Sequence, residues 1–105
     1  MDTAAGTGRA VAQRLTIVNR KGLHARASAR FVRTAECFDA EIKVSRDGQT
    51  VAGNSIMGLM MLGAGVGSTI LVHATGRQAR EALDAITVLV NNGFDEDNEG
   101  ATPGD

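Results

Sequence analysis

Tryptophan and tyrosine are absent from the 105 residues, and phenylalanine occurs three times, at Phe31, Phe38 and Phe94. With 43% apolar residues a core can still form, but it must be an aliphatic one of Ala, Val, Ile, Leu and Met. The shortage of aromatics leaves few platforms on which bases could stack, and no basic run exceeds Arg20-Lys21, so nucleic acid is not an expected partner. The single cysteine, Cys37, excludes an intramolecular disulfide and fits a reducing compartment; it reads as a small apolar residue. No stretch approaches the roughly 18 apolar residues of a membrane span, and the opening MDTAAGTGRAVAQ lacks an apolar run after a basic one. A cytoplasmic protein without membrane insertion is therefore expected.

The soft metal ligands are as sparse. His24, His73 and Cys37 show no paired spacing, so no metal and no cofactor is expected. No G-x-S-x-G marks a nucleophile elbow. The glycine run GAGVGS at 63–68 begins like a dinucleotide fingerprint, but it ends on Ser68 and leads into a strand, the reverse of the required context, and reads as a flexible turn.

What is present is an uneven distribution of charge. The whole chain is formally −1, yet Asp95, Glu96, Asp97, Glu99 and Asp105 all follow Phe94. Between Arg14 and Gly93 ten basic side chains face six acidic ones, a charge of about +4. A basic domain with an acidic tail favours an acidic or phosphorylated partner.

Periodicity divides the chain into a mobile N-terminal extension (1–12), one folded domain (13–93) and an acidic mobile tail (94–105). RLTIVN at 14–19 predicts a strand, with Leu15 and Ile17 inward and Thr16 and Asn19 less buried. From Ala25 to about Cys37 the spacing is helical, with Ala25, Ser28, Ala29, Val32 and Ala35 on one side and Arg26, Arg30 and Arg33 on the other. Ile42 and Val44, the Asp47-Gly48 turn and Val51 predict a hairpin. Asn54 or Ser55 can cap a short helix through Ile56 to about Leu62. A strand at 68–75 sets Ile70, Val72 and Ala74 against Leu71 and His73. A last helix, from Gln78 to about Asn92, carries the stripe Ala79, Ala82, Leu83, Ile86, Leu89 and Val90 and closes on Asn91-Asn92-Gly93. The order β-α-β-β-α-β-α predicts an α+β fold: a four-stranded, largely antiparallel sheet with all three helices on one face.

In GLHARASARFV (22–32), His24 falls at the N-cap of the first helix, where Ser, Thr, Asp or Asn would be the favoured types. A helix N-terminus offers unpaired N–H groups and about half a positive charge, conditions suited to an anion. The same field disfavours imidazolium and leaves a nucleophilic ring nitrogen. A phosphoryl group on that nitrogen would meet the first-turn N–H groups, with Arg26 one residue inside, and phosphoryl transfer needs little more than positioning and charge stabilisation. The residues equally allow a histidine that merely ends a loop beside a basic helix face.

GLHARASARFV, followed about thirty residues on by NSIMGLMMLGAGVGS, resembles the HPr family, the histidine phosphocarriers of the phosphoenolpyruvate-dependent phosphotransferase system. The likeness covers residues 14 to about 92. It implies an open-faced β-sandwich of four antiparallel strands and three helices, in agreement with the order read above. It implies that His24 is phosphorylated on Nδ1 and that Arg26 assists transfer. The family pattern usually has proline where Ala27 stands, which places the stiffness of the first turn in question. It implies phosphorylated enzyme I as donor and an enzyme IIA domain as acceptor, with the chain acting as a covalent intermediate and expected to be a monomer.

Ser55 matches a serine that an HPr kinase/phosphorylase modifies in some members; by position alone it is a good N-cap, and both roles are compatible because phosphate at a helix N-terminus favours the helix. Leu59 and Leu62 should face the core and leave Ile56, Met57 and Met60 exposed, an adaptable surface beside His24 that, ringed by Arg26 and Arg30, is the expected docking face. Met61 fits either exposure or burial. Two further readings stay open: a regulatory module of the nitrogen-related branch without sugar transport, and a small ligand-binding domain with an incidental histidine.

Overall fold

The computed structural model describes residues 9–96; what was expected of residues 1–8 and 97–105 lies outside the described residues. Strand β1 (Arg9–Thr16) leads to helix α1 (Ala25–Ala35), the hairpin β2 (Glu41–Arg46) and β3 (Gln49–Ala52), the short helix α2 (Ile56–Met61), strand β4 (Thr69–Gly76) and helix α3 (Ala79–Asn91). A 3-10 turn (Gly93–Asp95) follows. The sheet order is β1-β4-β2-β3, with every neighbouring pair antiparallel.

Period-two alternation decides which face of the sheet is covered. Leu15, Ile42, Val44, Ile70, Val72 and Ala74 point into the core, while Lys43, His73 and Thr75 on the same strands are exposed. Leu15 pairs with Ile70, Val44 with Val72 and Ile42 with Ala74, so the register stacks apolar side chains in rows on one face. Helix α3 lies across β1 and β4 and against α1, while α2 packs on α1 and β3. From α3, Ala79, Ala82, Leu83, Ile86 and Val90 meet that face. The hairpin turn has positive φ at Asp47 (52°) and Gly48 (85°), the left-handed pair a two-residue connection requires.

Several details depart from the expectation. The first strand starts at Arg9, inside the stretch assigned to the extension, because pairing with β4 runs on from Leu15↔Ile70 through Val11↔Ala74 to Arg9↔Gly76. Exposed Ala10 and Ala12 and the polar Gln13 hide this edge strand from a hydrophobicity pattern. Of the face expected for α1, Ser28, Val32 and Ala35 are buried, whereas Ala25 is exposed and Ala29 half-buried, and Ala27 and Phe31 complete the buried arc instead. Phe31, fully buried, lies outside the expected face. Asn19 is 2% exposed, and Phe94, placed in the tail, is 1% exposed and part of the core. Cys37 is exposed, with Sγ 3.3 Å from the Arg33 carbonyl.

Candidate functional site

Backbone geometry puts His24 where it is. Gly22 adopts φ +67°, and a β-carbon there would collide with the carbonyl of Ala64. The chain thus passes hard against the 63–68 loop, and Leu23, buried, donates its N–H to the Ala64 carbonyl at 3.0 Å. That glycine-rich loop is also stitched to the end of β1, by Ile17 N–H to Ser68 O at 2.8 Å and Gly67 N–H to Ile17 O at 2.7 Å. The expected flexible turn is therefore a wall of the His24 loop. Ser28 closes the other side, its hydroxyl donating to the Leu23 carbonyl at 3.2 Å from a fully buried position.

His24 is the N-cap of α1, with extended backbone (φ −76°, ψ −177°). Its carbonyl accepts the Ser28 N–H at 2.9 Å, and its ring Nδ1 accepts the Arg26 N–H at 3.3 Å. An imidazole thus does what a serine or aspartate oxygen does at such positions. The acceptor role leaves the lone pair on Nδ1 and the proton, in the neutral ring, on Nε2. The side chain is 29% exposed, so the ring is held yet reachable. Arg26 lies in the same first turn and is exposed.

Nε2 faces a carboxylate, 3.6 Å from Oε1 of Glu96. The same oxygen accepts from Asn19 Nδ2 at 2.6 Å, and Asn19 Nδ2 also donates to the Gly22 carbonyl at 2.9 Å. Arg30, placed in the docking rim by sequence, is half-buried and donates from Nη1 to the Phe94 carbonyl at 2.7 Å. Asn19 and Glu96 were missed by sequence reasoning. The available signal was Phe94 directly after Gly93, which has the left-handed φ of +65°: an apolar residue at that position normally folds back on the helix it follows.

A shallow depression of about 280 Å³ brings His24 together with Lys21, Leu23, Met60, Gly63, Ala64 and Gly65. Met60 thus adjoins the histidine, and around it Ile56, Met57 (71%) and Met61 (73%) are exposed while Leu59 and Leu62 are buried. Ser55 caps α2, its Oγ accepting the Gly58 N–H at 2.9 Å. His73 lies on the uncovered face of the sheet. Among the described residues no group of His, Cys, Asp and Glu could hold a metal ion, and no helix is long and apolar enough to cross a membrane.

The family model described as "PTS HPr component phosphorylation site" matches residues 11–92. This chain belongs to the HPr family of phosphocarriers. Phosphocarrier protein HPr of Cupriavidus necator is 48% identical over 81 residues, covering 77% of this chain and 91% of that protein. Phosphocarrier protein NPr of Escherichia coli is 43% identical over 88 residues, 83% of this chain and 98% of that one. The crystal structure of HPr from Thermoanaerobacter tengcongensis superimposes with a TM-score of 0.79 at 38% identity, over 82% of this chain and 97% of that one. HPr from Bacillus anthracis gives 0.74 at 42% identity, over 77% and 96%. The family fold of four antiparallel strands and three helices is the fold described above.

Proposed function

We propose that this chain is a cytoplasmic phosphocarrier whose His24 accepts a phosphoryl group on Nδ1 from phosphorylated enzyme I and delivers it to an enzyme IIA domain. The observation that carries the reading is the N-cap geometry, which directs the Nδ1 lone pair at the Arg26 amide in the first turn of α1. A phosphoryl group on Nδ1 would replace the ring as acceptor of that N–H and would sit in the positive end of the helix field. Arg26 supplies a full positive charge in the same turn, suited to equatorial phosphoryl oxygens. The protein then acts as a covalent intermediate, needing no cofactor of its own, and works as a monomer that docks its partners in turn through Ile56, Met57 and Met60. Ser55, at a helix N-terminus on that face, is the residue an HPr kinase/phosphorylase would modify.

The test is to incubate the chain with phosphoenolpyruvate, magnesium and enzyme I and look for acid-labile phosphate. Wild type should take one phosphoryl group and His24→Ala none; equal labelling of the variant sinks the proposal. A second reading, a regulatory carrier of the nitrogen-related branch, draws on the 43% identity to NPr proteins, which is lower than the 48% to HPr of Cupriavidus necator. Faster onward transfer to a regulatory enzyme IIA than to one of a sugar transporter would select it.

A further inference from the structure

We propose that Glu96 is a positioning residue for phosphoryl transfer at His24, holding the Nε2 edge of the ring so that Nδ1 keeps its lone pair. The proposal rests on the carrier reading given above.

Three contacts carry the carboxylate to its place across 77 positions of sequence from Asn19. Phe94 is locked in the core, Arg30 holds the Phe94 carbonyl at 2.7 Å, and Asn19 holds Glu96 Oε1 at 2.6 Å. The turn that aims it needs positive φ at Phe94 (56°) and Asp95 (59°), a conformation uncommon for residues other than glycine. Glu96 lies at 3.6 Å from Nε2, whereas Nδ1 faces the Arg26 amide. The carboxylate therefore does not stand where a phosphoryl group would arrive; it meets the opposite edge of the ring.

In the transfer step the Nδ1 lone pair forms the new N–P bond. The bond from phosphorus to the donor breaks, and its electron pair leaves on the donor. The Nε2 proton stays in place, so the phosphorylated ring carries positive charge facing Glu96. Onward delivery reverses these movements. A carboxylate orienting an imidazole that gains charge is the arrangement that supports the histidine of hydrolytic triads.

The full 105-residue chain is compared with Glu96→Gln and Glu96→Ala. Gln retains an acceptor for Asn19 and removes only the charge. The expected result is a maximal rate of phosphorylation by enzyme I about three- to fivefold lower in Glu96→Gln, with the half-saturating carrier concentration unchanged, as loss of a partly exposed ion contact implies. In Glu96→Ala, ¹⁵N spectra of the unphosphorylated ring in alkaline buffer should show Nδ1 and Nε2 moving toward each other as the tautomers mix. A wild-type rate in Glu96→Gln, a loss confined to half-saturation, or unchanged ring nitrogens in Glu96→Ala overturns the proposal. Should wild type take no phosphate, the carrier reading falls. The ring spectra, which require none, then decide the Glu96 contact by themselves: movement upholds it, and unchanged signals overturn it.

Discussion

Leu23 and Ala64 share a 3.0 Å backbone hydrogen bond that joins the His24 loop to the glycine-rich loop after α2. The residue before Leu23 determines whether that bond can form. Gly22 has φ +67°, and a β-carbon would lie 2.7 Å from Gly65 Cα besides striking the Ala64 carbonyl. Gly22→Ala therefore meets a left-handed backbone penalty and a backbone collision together, about 3 kcal/mol in all. Urea unfolding should show a midpoint lowered accordingly. Phosphorylation of the folded fraction should also slow, since the loop carrying His24 must move outward.

Phe94 forms part of the core although an acidic segment follows it. Truncating a fully buried phenylalanine costs about 3–5 kcal/mol, so Phe94→Ala should rank among the most damaging single changes. Val88→Ala on the same end of α3, 59% exposed, should stay within about 0.5 kcal/mol. Paired urea curves check the contrast. The Glu96 contact should go with Phe94, so the His24 ring signals of this variant should resemble those of Glu96→Ala.

How much of this was legible beforehand follows from which signals are periodic. The inward rows of β2 and β4, the Asp47-Gly48 turn and the α3 stripe repeat over several residues and were read correctly. The N-cap position of His24 was legible because the helical spacing begins directly after it. Asn19 and Glu96 were not, because each is a single polar residue whose importance lies in a contact distant in sequence. Composition pointed the wrong way at Phe94, since the aspartates and glutamates around it resemble a solvated tail. Strand residues 9–13 escaped for a related reason: an edge strand of small and polar residues is defined by its partner's hydrogen bonds, not by its own apolar content.

Ala27 is the third position inside α1 and stands where the family pattern has proline. The first turn leaves its N–H groups without helical carbonyl partners, so proline there removes no helical hydrogen bond. It would preset φ and restrict the unfolded chain, a gain of about 0.4–1 kcal/mol where the native backbone is compatible. Ala27 is 1% exposed, and the ring must be fitted against the core, which opposes that gain. Ala27→Pro is thus expected to change stability by less than about 1 kcal/mol and the phosphorylation rate by less than about twofold. Thermal melting with the enzyme I assay checks both. A large gain in rate would mean that the alanine loosens the turn holding the phosphoryl group.

Ser55 separates a structural role from a regulatory one through two substitutions. Its Oγ accepts the Gly58 N–H at 2.9 Å, and loss of such a cap costs about 1 kcal/mol, so Ser55→Ala should be destabilised by that amount. Ser55→Asp keeps an acceptor and adds a charge that the helix field favours, so its stability should match or slightly exceed wild type. The added charge adjoins exposed Ile56 and Met57, which are proposed to meet acidic partners, and like charges at a rim slow association. Transfer from enzyme I should therefore weaken in Ser55→Asp as a higher half-saturating concentration, steeper at low salt, while Ser55→Ala transfers at the wild-type rate. The two properties should therefore separate: alanine lowers stability and leaves transfer alone, aspartate spares stability and impairs transfer. If transfer instead followed stability through both variants, Ser55 would be a cap and nothing more.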